Sequence, residues 1–210
     1  MNLFKQLSNF SYARKPLRLK KIEFNEWKEY CFKTALESMR NILSKNNQEF
    51  FLACGTLLGC IRNNSFIPHD QDIDIGIFAN NFNSKIKDII LHSGEFTLKH
   101  ELGKLEDSYE ISFLHKKTNV SIDIFLFYPL EKHHYYCASF YGLCNQKPGG
   151  FCRWKYPITA LKPTIFYNKV YLIPANAEEH LTMAYGSNWK TPIKFGYGDG
   201  LEGLYRNLMD

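Results

Sequence analysis

The chain has 210 residues, of which 45% are hydrophobic and 16% aromatic, enough to bury a core and to exclude wholesale disorder. It carries 26 basic and 21 acidic residues, for a formal net charge of +5. Six basic residues and no acid lie in residues 1–21, which leaves 20 basic and 21 acidic residues in the body. A body with a net charge of −1 disfavours a general nucleic-acid binder, so we expect no nucleic-acid partner.

We interpret residues 1–21 as a basic arm that precedes one domain spanning residues 22–210. The apolar residues of the arm have rough helical spacing, so the arm can lie on an anionic membrane surface; a solvated tail or a helix packed on the body are the alternatives. No stretch approaches the ~20 apolar residues that span a bilayer, and the first residues lack the apolar segment of a secretory signal. Six cysteines are too sparse for a disulfide scaffold. We therefore expect reduced thiols and a cytoplasmic protein, peripheral to the inner face of the membrane if the arm binds there.

Apolar spacing and turn residues predict an α+β domain in which helices flank a mixed β-sheet. The first half is predicted to contain a helix over 25–46, a strand over 50–54, a helix over 56–61, a loop over 63–68, a strand over 72–78 and a helix over 80–92. The second half is predicted to contain strands over 95–101, 109–115 and 120–127, an irregular segment over 131–160, a hairpin over 166–173 that turns at 167–169, and a helix over 176–185 ended by Gly186.

Three carboxylates stand out because they lie inside apolar strands. Asp72 and Asp74 are two residues apart, so both side chains project from the same face of their strand. Asp123 is flanked by isoleucines, and a lone buried charge requires a partner. If the two strands are neighbours, the three carboxylates converge into a site for one or two Mg²⁺ or Mn²⁺ ions that clamp phosphate oxygens. The alternative is a set of surface acids on a half-exposed strand.

A glycine turn precedes these strands. Gly55 and Thr56 lie between a predicted strand and a short helix, where backbone amides can approach a phosphate. Arg62 lies one or two turns further on and can reach the same anion. The alternatives are a simple turn with a helix cap for Gly55 and Thr56, and a surface salt bridge for Arg62.

The second half of the chain contains three further candidate features. The histidines at 133 and 134 and the cysteines at 137, 144 and 152 could hold a structural Zn²⁺, although their spacing departs from a Cys-x₂-Cys knuckle; buried or free thiols are the alternative. Arg153 could bind the diphosphate of a donor substrate or an anionic acceptor substrate. Trp189 and other aromatic residues could form a cation–π cage for a choline head group, or simply pack in the core.

The extended pattern resembles a known family. It runs from Gly55-Thr56-Leu57-Leu58-Gly59-x-x-Arg62 to Ile67-Pro68-x-Asp70-x-Asp72-x-Asp74-Ile75, and continues with Tyr185-Gly186-x-x-Trp189-x-x-Pro192. These residues resemble the LicD family, which includes bacterial phosphocholine transferases and fukutin-related proteins. That family lies within the DNA polymerase β-type nucleotidyltransferase superfamily, so the resemblance implies a nucleotidyltransferase-like mixed β-sheet flanked by helices. His69 departs from the tryptophan that is common there.

The resemblance implies that a phosphorylated small group moves from a CDP-linked donor to a hydroxyl of a glycan or lipid-linked glycan, and that CMP leaves. Phosphocholine and phospho-alditols are the donor types that it implies, and lipopolysaccharide, capsule and other cell-surface glycans are the acceptors. By the same resemblance, Asp72 and Asp74 hold Mg²⁺, and Asp123 completes the metal site or takes the acceptor's proton. Gly55, Thr56 and Arg62 hold donor phosphates, and Asp70 acts as a supporting ligand or base, or only caps the turn.

Two other functions remain open at this point. A nucleotidyltransferase that attaches the nucleotide itself to a small molecule or an RNA end would use the same carboxylates. A non-catalytic glycan- or lipid-binding module would not need them.

Overall fold

The computed structural model describes residues 26–140, 152–192 and Met209. The predicted basic arm lies outside these residues. Four helices lie in the described part: α1 (Glu26–Lys45), α2 (Cys54–Asn63), α3 (Ile86–His92) and α4 (Ala177–Tyr185). Its nine strands are β1 (Phe51–Leu52), β2 (Asp72–Phe78), β3 (Phe96–Lys104), β4 (Ser108–His115), β5 (Ser121–Glu131), β6 (His134–Ser139), β7 (Cys152–Pro157), β8 (Leu161–Phe166) and β9 (Lys169–Pro174).

The strands form one mixed sheet, as the sequence predicts. Along the main path the order is β3-β4-β5-β2-β1-β9-β8, and β6 and β7 extend from the far end of β5. The central pair β2 and β5 is parallel, as is β1 with β9, while the remaining neighbours are antiparallel. The fold is therefore an α+β fold in which helices flank a mixed sheet.

The two faces of the central sheet differ in character. Strand β2 alternates acidic and isoleucine residues, and Ile73, Ile75 and Ile77 are fully buried. These isoleucines belong to the main core cluster together with the buried stripe of α1, which includes Leu36 and Met39. Because side chains alternate along a strand, the carboxylates of β2 are left on the opposite face.

Two predicted segments differ in the structure. The helix predicted over 80–92 is a 3-10 turn, Ala79–Asn81, followed by α3. The Asn83 side chain accepts a hydrogen bond from the Lys85 backbone N–H at 3.0 Å, a local bond that delays the start of the helix. The irregular segment predicted over 131–160 contains β6 and β7. Their pairing joins residues far apart in sequence, which local patterns do not report.

The C-terminal predictions are confirmed. The hairpin extends over β8 and β9 and turns at Tyr167 and Asn168, which have φ of 48° and 61°. Helix α4 ends at Gly186, whose φ of 85° suits glycine. Within the described part of the chain, no helix is long and apolar enough to cross a membrane.

The cysteine predictions need a correction. Cys152 is disulfide-bonded, so the expectation that every thiol is reduced is wrong for this residue. Its sulfur is not available as a ligand for the Zn²⁺ predicted in this segment. Cys137, also in that segment, is a buried free thiol whose pKa is raised, chiefly by burial. Protein disulfides persist mainly in oxidising compartments, which removes one of the reasons for expecting a cytosolic protein.

Gly76 offers a test of the packing on the face of β2 that carries the carboxylates. An added Cβ would lie 2.8 Å from Phe127 Cε2 and closer still to the Phe51 ring. We expect Gly76→Ala to lower the free energy of unfolding by about 2–3 kcal/mol, because overpacking forces these rings to move. Gly94→Ala is the control, since an added Cβ meets nothing within 4 Å and only the φ of 77° costs about 1 kcal/mol. Equal losses in urea unfolding would contradict the packing argument.

Candidate functional site

The structure brings the three carboxylates of the sequence analysis onto neighbouring strands. In the parallel pair of β2 and β5, Asp74 lies opposite Asp123, and Asp72 lies opposite Ser121. Residues directly opposite each other share a face of the sheet. The condition set by the sequence, that the two strands be neighbours, is therefore met.

The polar row continues across two more strands. Ser112 of β4 lies opposite Asp123, and His100 of β3 lies opposite Ser112. Asp74, Asp123, Ser112 and His100 thus cross four strands on one face. Because polar side chains in the interior of a sheet are costly unless they are satisfied, this row makes the face a candidate site.

Asp123 is held firmly within this row. It is 8% exposed, and its Oδ1 accepts hydrogen bonds from Ser121 Oγ at 3.0 Å and from Ser112 Oγ. The two hydroxyls also contact each other at 3.0 Å, and Lys99 Nζ donates to Ser121 Oγ at 2.9 Å. These bonds turn one oxygen of Asp123 toward β4.

The glycine turn fixes Asp74. Helix α2 begins directly after β1, and the Gly55 backbone N–H donates to Asp74 Oδ2 at 3.0 Å. The Asp74 backbone N–H donates in turn to Thr56 Oγ1 at 2.9 Å. Cys54, just before the glycine, has a φ of 43°, a left-handed conformation that costs about 1–2 kcal/mol. The turn is thus a strained connection that presents the first amides of α2 to the carboxylates.

Asp70 approaches the same turn from the loop before β2. A Cβ added at Gly55 would lie 2.6 Å from Asp70 Oδ2, so a side chain there would displace the Asp70 carboxylate. Lys28 of α1 secures the loop, because its Nζ donates to the backbone oxygens of Pro68 at 2.8 Å and of Asp70 at 2.5 Å. The loop carries Asp70 to within contact distance of the α2 start.

Burial and mutual repulsion perturb these acids. Burial, followed by the charges of Asp123 and Asp70, raises the pKa of Asp72 to about 6. Burial also raises the pKa of Asp70 to about 6, against the opposing effect of Lys28 and Arg62. The pKa of Asp74 lies well above its usual range, chiefly through burial and then through Asp72 and Asp123. Such a set of crowded oxygen ligands fits a divalent cation, whose charge would relieve the repulsion.

A cavity of about 180 Å³ is lined by Gly55, Asp70, Arg62 and Trp189, among others. Asp72, Asp74 and Asp123 do not line it, but Gly55 connects it to them through its hydrogen bond to Asp74. Trp189 is 5% exposed, and its Nε1 donates to Thr182 Oγ1 at 3.2 Å. Predicted phosphate ligands and the predicted aromatic residue therefore meet in one cavity.

Arg153 and Thr56 occupy other positions. Arg153 lies on β7, where its Nη2 donates to Asp107 Oδ2 at 2.5 Å and its guanidinium stacks over Tyr136, so the structure does not place it in the cavity wall. Thr56 is 2% exposed and supports the backbone of Asp74.

Three residues around the carboxylates were not predicted from the sequence: Lys99, His100 and Glu110. Glu110 is 2% exposed, and its pKa is raised to about 8, chiefly by burial and then by Asp123. Its signal was available, because Glu110 is an acid inside an apolar strand, as Asp123 is. Lys99 is the extra residue of a β-bulge between Leu98 and His100, and a bulge re-aims a side chain without a local sequence signature.

Thr56 allows a test of how Asp74 is positioned. Strand β1 ends at Leu52, so the Thr56 hydroxyl takes the place of a ladder partner for the Asp74 N–H. We expect Thr56→Val to lower the free energy of unfolding by about 2 kcal/mol, because it leaves the Asp74 N–H without its acceptor. Thr56→Ser keeps the hydroxyl and should cost about 1 kcal/mol for the lost methyl. A larger loss for serine than for valine in urea unfolding would refute the role of this bond.

The carboxylate repulsion predicts a pH dependence without divalent cations. The folded pKa of Asp72, about 6, exceeds its ordinary 3.8, so the folded protein binds more protons than the unfolded chain between these values. The unfolding free energy should therefore fall as pH rises from about 4 to 6. We expect the free energy of unfolding of Asp72→Asn to exceed that of the wild type by about 1–2 kcal/mol at pH 7 in EDTA. At pH 4 this difference should disappear. An advantage independent of pH would contradict the electrostatic explanation.

The sequence of this site matches a known family. The family model described as "LicD/FKTN/FKRP, nucleotidyltransferase domain" matches residues 47–175, which include every strand from β1 to β9. The matched region covers the carboxylates of β2 and β5 and the start of α2. This agrees with the resemblance that the motifs carry.

Named relatives include the ribitol-5-phosphate transferase FKTN of Macaca fascicularis, 35% identical over 164 residues, and that of Homo sapiens, 34% identical over 164 residues. Each alignment covers 77% of this chain and 34% of the relative. The uncharacterised protein RP689 of Rickettsia prowazekii is 30% identical over 115 residues, which is 52% of this chain and 38% of that protein. The chain thus spans about a third of the length of these relatives. Because the family model matches residues 47–175, more than half of the chain, the chain belongs to the LicD/FKTN/FKRP family and contains its nucleotidyltransferase domain.

Proposed function

We propose that the chain transfers a phospho-alditol from a CDP-linked donor to a hydroxyl of a glycan, with Mg²⁺ or Mn²⁺ bound at Asp72, Asp74 and Asp123. The observation that carries the proposal is the in-register pairing of Asp74 with Asp123, joined through the Gly55 N–H to a cavity that Arg62 lines. Carboxylates that hold a cation next to an anion-binding residue are the arrangement that phosphoryl transfer requires.

The donor diphosphate would lie between the cation and the start of α2. Arg62 lines the cavity and lowers the pKa of Asp70, so its guanidinium is close to that carboxylate. The first amides of α2 add partial positive charge. We assign Gly55 to close approach of the donor, because a side chain there would displace the Asp70 carboxylate. Thr56 acts through Asp74, as a positioning residue, instead of contacting phosphate as the resemblance implies.

The cavity wall favours a polyol over a quaternary ammonium group. Besides Asp70, the wall includes His69, Asn188 and Thr191, whose side chains both donate and accept hydrogen bonds. Trp189 is nearly buried, and Lys190 Nζ already lies 5.2 Å from its ring centroid, so a choline cage would bring two cations together. The relatives named ribitol-5-phosphate transferases support the same choice.

In the proposed reaction, an acceptor hydroxyl oxygen attacks the phosphorus that bears the alditol. The bond from this phosphorus to the bridging oxygen breaks, CMP leaves with that oxygen, and a phosphodiester forms. The bound cation supplies charge neutralisation at the phosphate oxygens. Asp70 accepts the hydroxyl proton, since it lies at the cavity edge and its pKa of about 6 suits a base at neutral pH.

Calorimetric titration of the chain with CDP-ribitol, CDP-choline and CTP, with and without Mg²⁺, tests the proposal. We expect Mg²⁺-dependent binding of CDP-ribitol that is tighter than binding of CDP-choline. Asp72→Asn should weaken it about 10- to 100-fold, because one cation ligand is lost. Asp88→Asn, which removes the same charge from an exposed position of α3, is the matched control and should bind as the wild type does.

Three results would contradict the proposal. Binding of CTP alone would indicate transfer of the nucleotide itself. Tighter binding of CDP-choline would assign the cavity to an ammonium group. Equal effects of Asp72→Asn and Asp88→Asn would remove Asp72 from the site.

A further inference from the structure

A compact group of potential metal ligands lies beside the three carboxylates. It consists of His100 on β3, Glu110 on β4 and Asp123 on β5, which each offer one ligand atom, all within 4.8 Å of one another. His100 Nε2 lies 3.0 Å from Glu110 Oε1. Ligand atoms about 2.1 Å from a single ion lie up to about 4.2 Å apart, so small side-chain rotations bring this group to coordinating geometry.

The position of the group is set by the sheet and not by flexible side chains. Antiparallel pairing places His100 opposite Ser112, and Ser112 opposite Asp123. Glu110 precedes Ser112 by two residues and therefore projects from the same face. The bulge before His100 sets the register of this end of β3. Three rigid strands thus present the three ligands.

Two members of the group are buried acids. Glu110 and Asp123 are 2% and 8% exposed. The nearby Lys99 Nζ donates to Ser121 Oγ. Two buried carboxylates beside an imidazole are costly unless a further positive charge is shared among them.

We propose that His100, Glu110 and Asp123 form a second cation site, specific for a divalent transition-metal ion of the Mn²⁺ or Zn²⁺ class. An imidazole nitrogen in the ligand set favours such ions over Mg²⁺, which prefers oxygen ligands. Asp123 belongs to both sites: Oδ1 faces the serines and β4, and a cation there would lock its orientation toward the Asp72 site. The second site needs no nucleotide and no acceptor.

Mn²⁺ binding measured by electron paramagnetic resonance in excess Mg²⁺ tests the second site. Mn²⁺ is the probe because thiols bind it poorly and the chain has free cysteines. We expect the wild type to retain one Mn²⁺ per chain under excess Mg²⁺. His100→Ala and Glu110→Gln should each weaken that binding at least about 10-fold, with circular dichroism confirming the fold. His92→Ala, which removes an exposed imidazole from α3, is the matched control and should bind as the wild type does.

Asp72→Asn separates this proposal from the proposed function. It removes a ligand of the Asp72 site alone, so the Mn²⁺ retained in excess Mg²⁺ should persist even where nucleotide binding fails. Full displacement of Mn²⁺ from the wild type by Mg²⁺ would overturn the second site. Unchanged binding in folded His100→Ala and Glu110→Gln would overturn it as well, and would leave His100 and Glu110 as a hydrogen-bonded pair. Loss of the retained Mn²⁺ in Asp72→Asn would assign the ion to the Asp72 site instead.

Discussion

Repulsion among crowded, half-buried and buried carboxylates is the constraint on which this structure depends. The in-register parallel pairing of β2 and β5 places Asp74 opposite Asp123, with Asp72 two residues away on the same face. Like charges crowded together and partly removed from water oppose folding, so the arrangement requires stabilisation elsewhere, and a bound cation would relieve the repulsion. A fold selected for stability alone would put apolar side chains at these positions, and this cost supports the proposal that the face is functional.

The other face of the same strands provides the stabilisation. Ile73, Ile75, Ile122 and Ile124 are fully buried against the helical layer. Strand alternation thus lets seven residues of β2 contribute to both the core and the site. The short strand β1 completes the arrangement, because it ends at Leu52 and α2 begins shortly after it. The Asp74 N–H therefore donates to the Thr56 hydroxyl, and the Asp74 carboxylate accepts from the Gly55 N–H. Helix α2 is thereby tied to the carboxylates by both backbone and side chain.

The parts of the site that follow from strand alternation could be predicted from sequence. The face shared by Asp72 and Asp74, and the need of Asp123 for a partner, are local properties. The position of Glu110 is equally local and could have been predicted, whereas that of Lys99 depends on a bulge in the cross-strand register of the β3–β4 hairpin. The pairing of β6 with β7 was not predicted because a longer connection separates these two strands.

The central claim is that Asp72, Asp74 and Asp123 bind a cation that contacts the donor phosphates. The most direct measurement is anomalous diffraction at the manganese edge from crystals of the chain grown with Mn²⁺ and CDP-ribitol. The account predicts an anomalous peak within coordinating distance of Asp72 and Asp74 and of a donor phosphate oxygen. Donor density in the cavity without an anomalous peak at these carboxylates would contradict it.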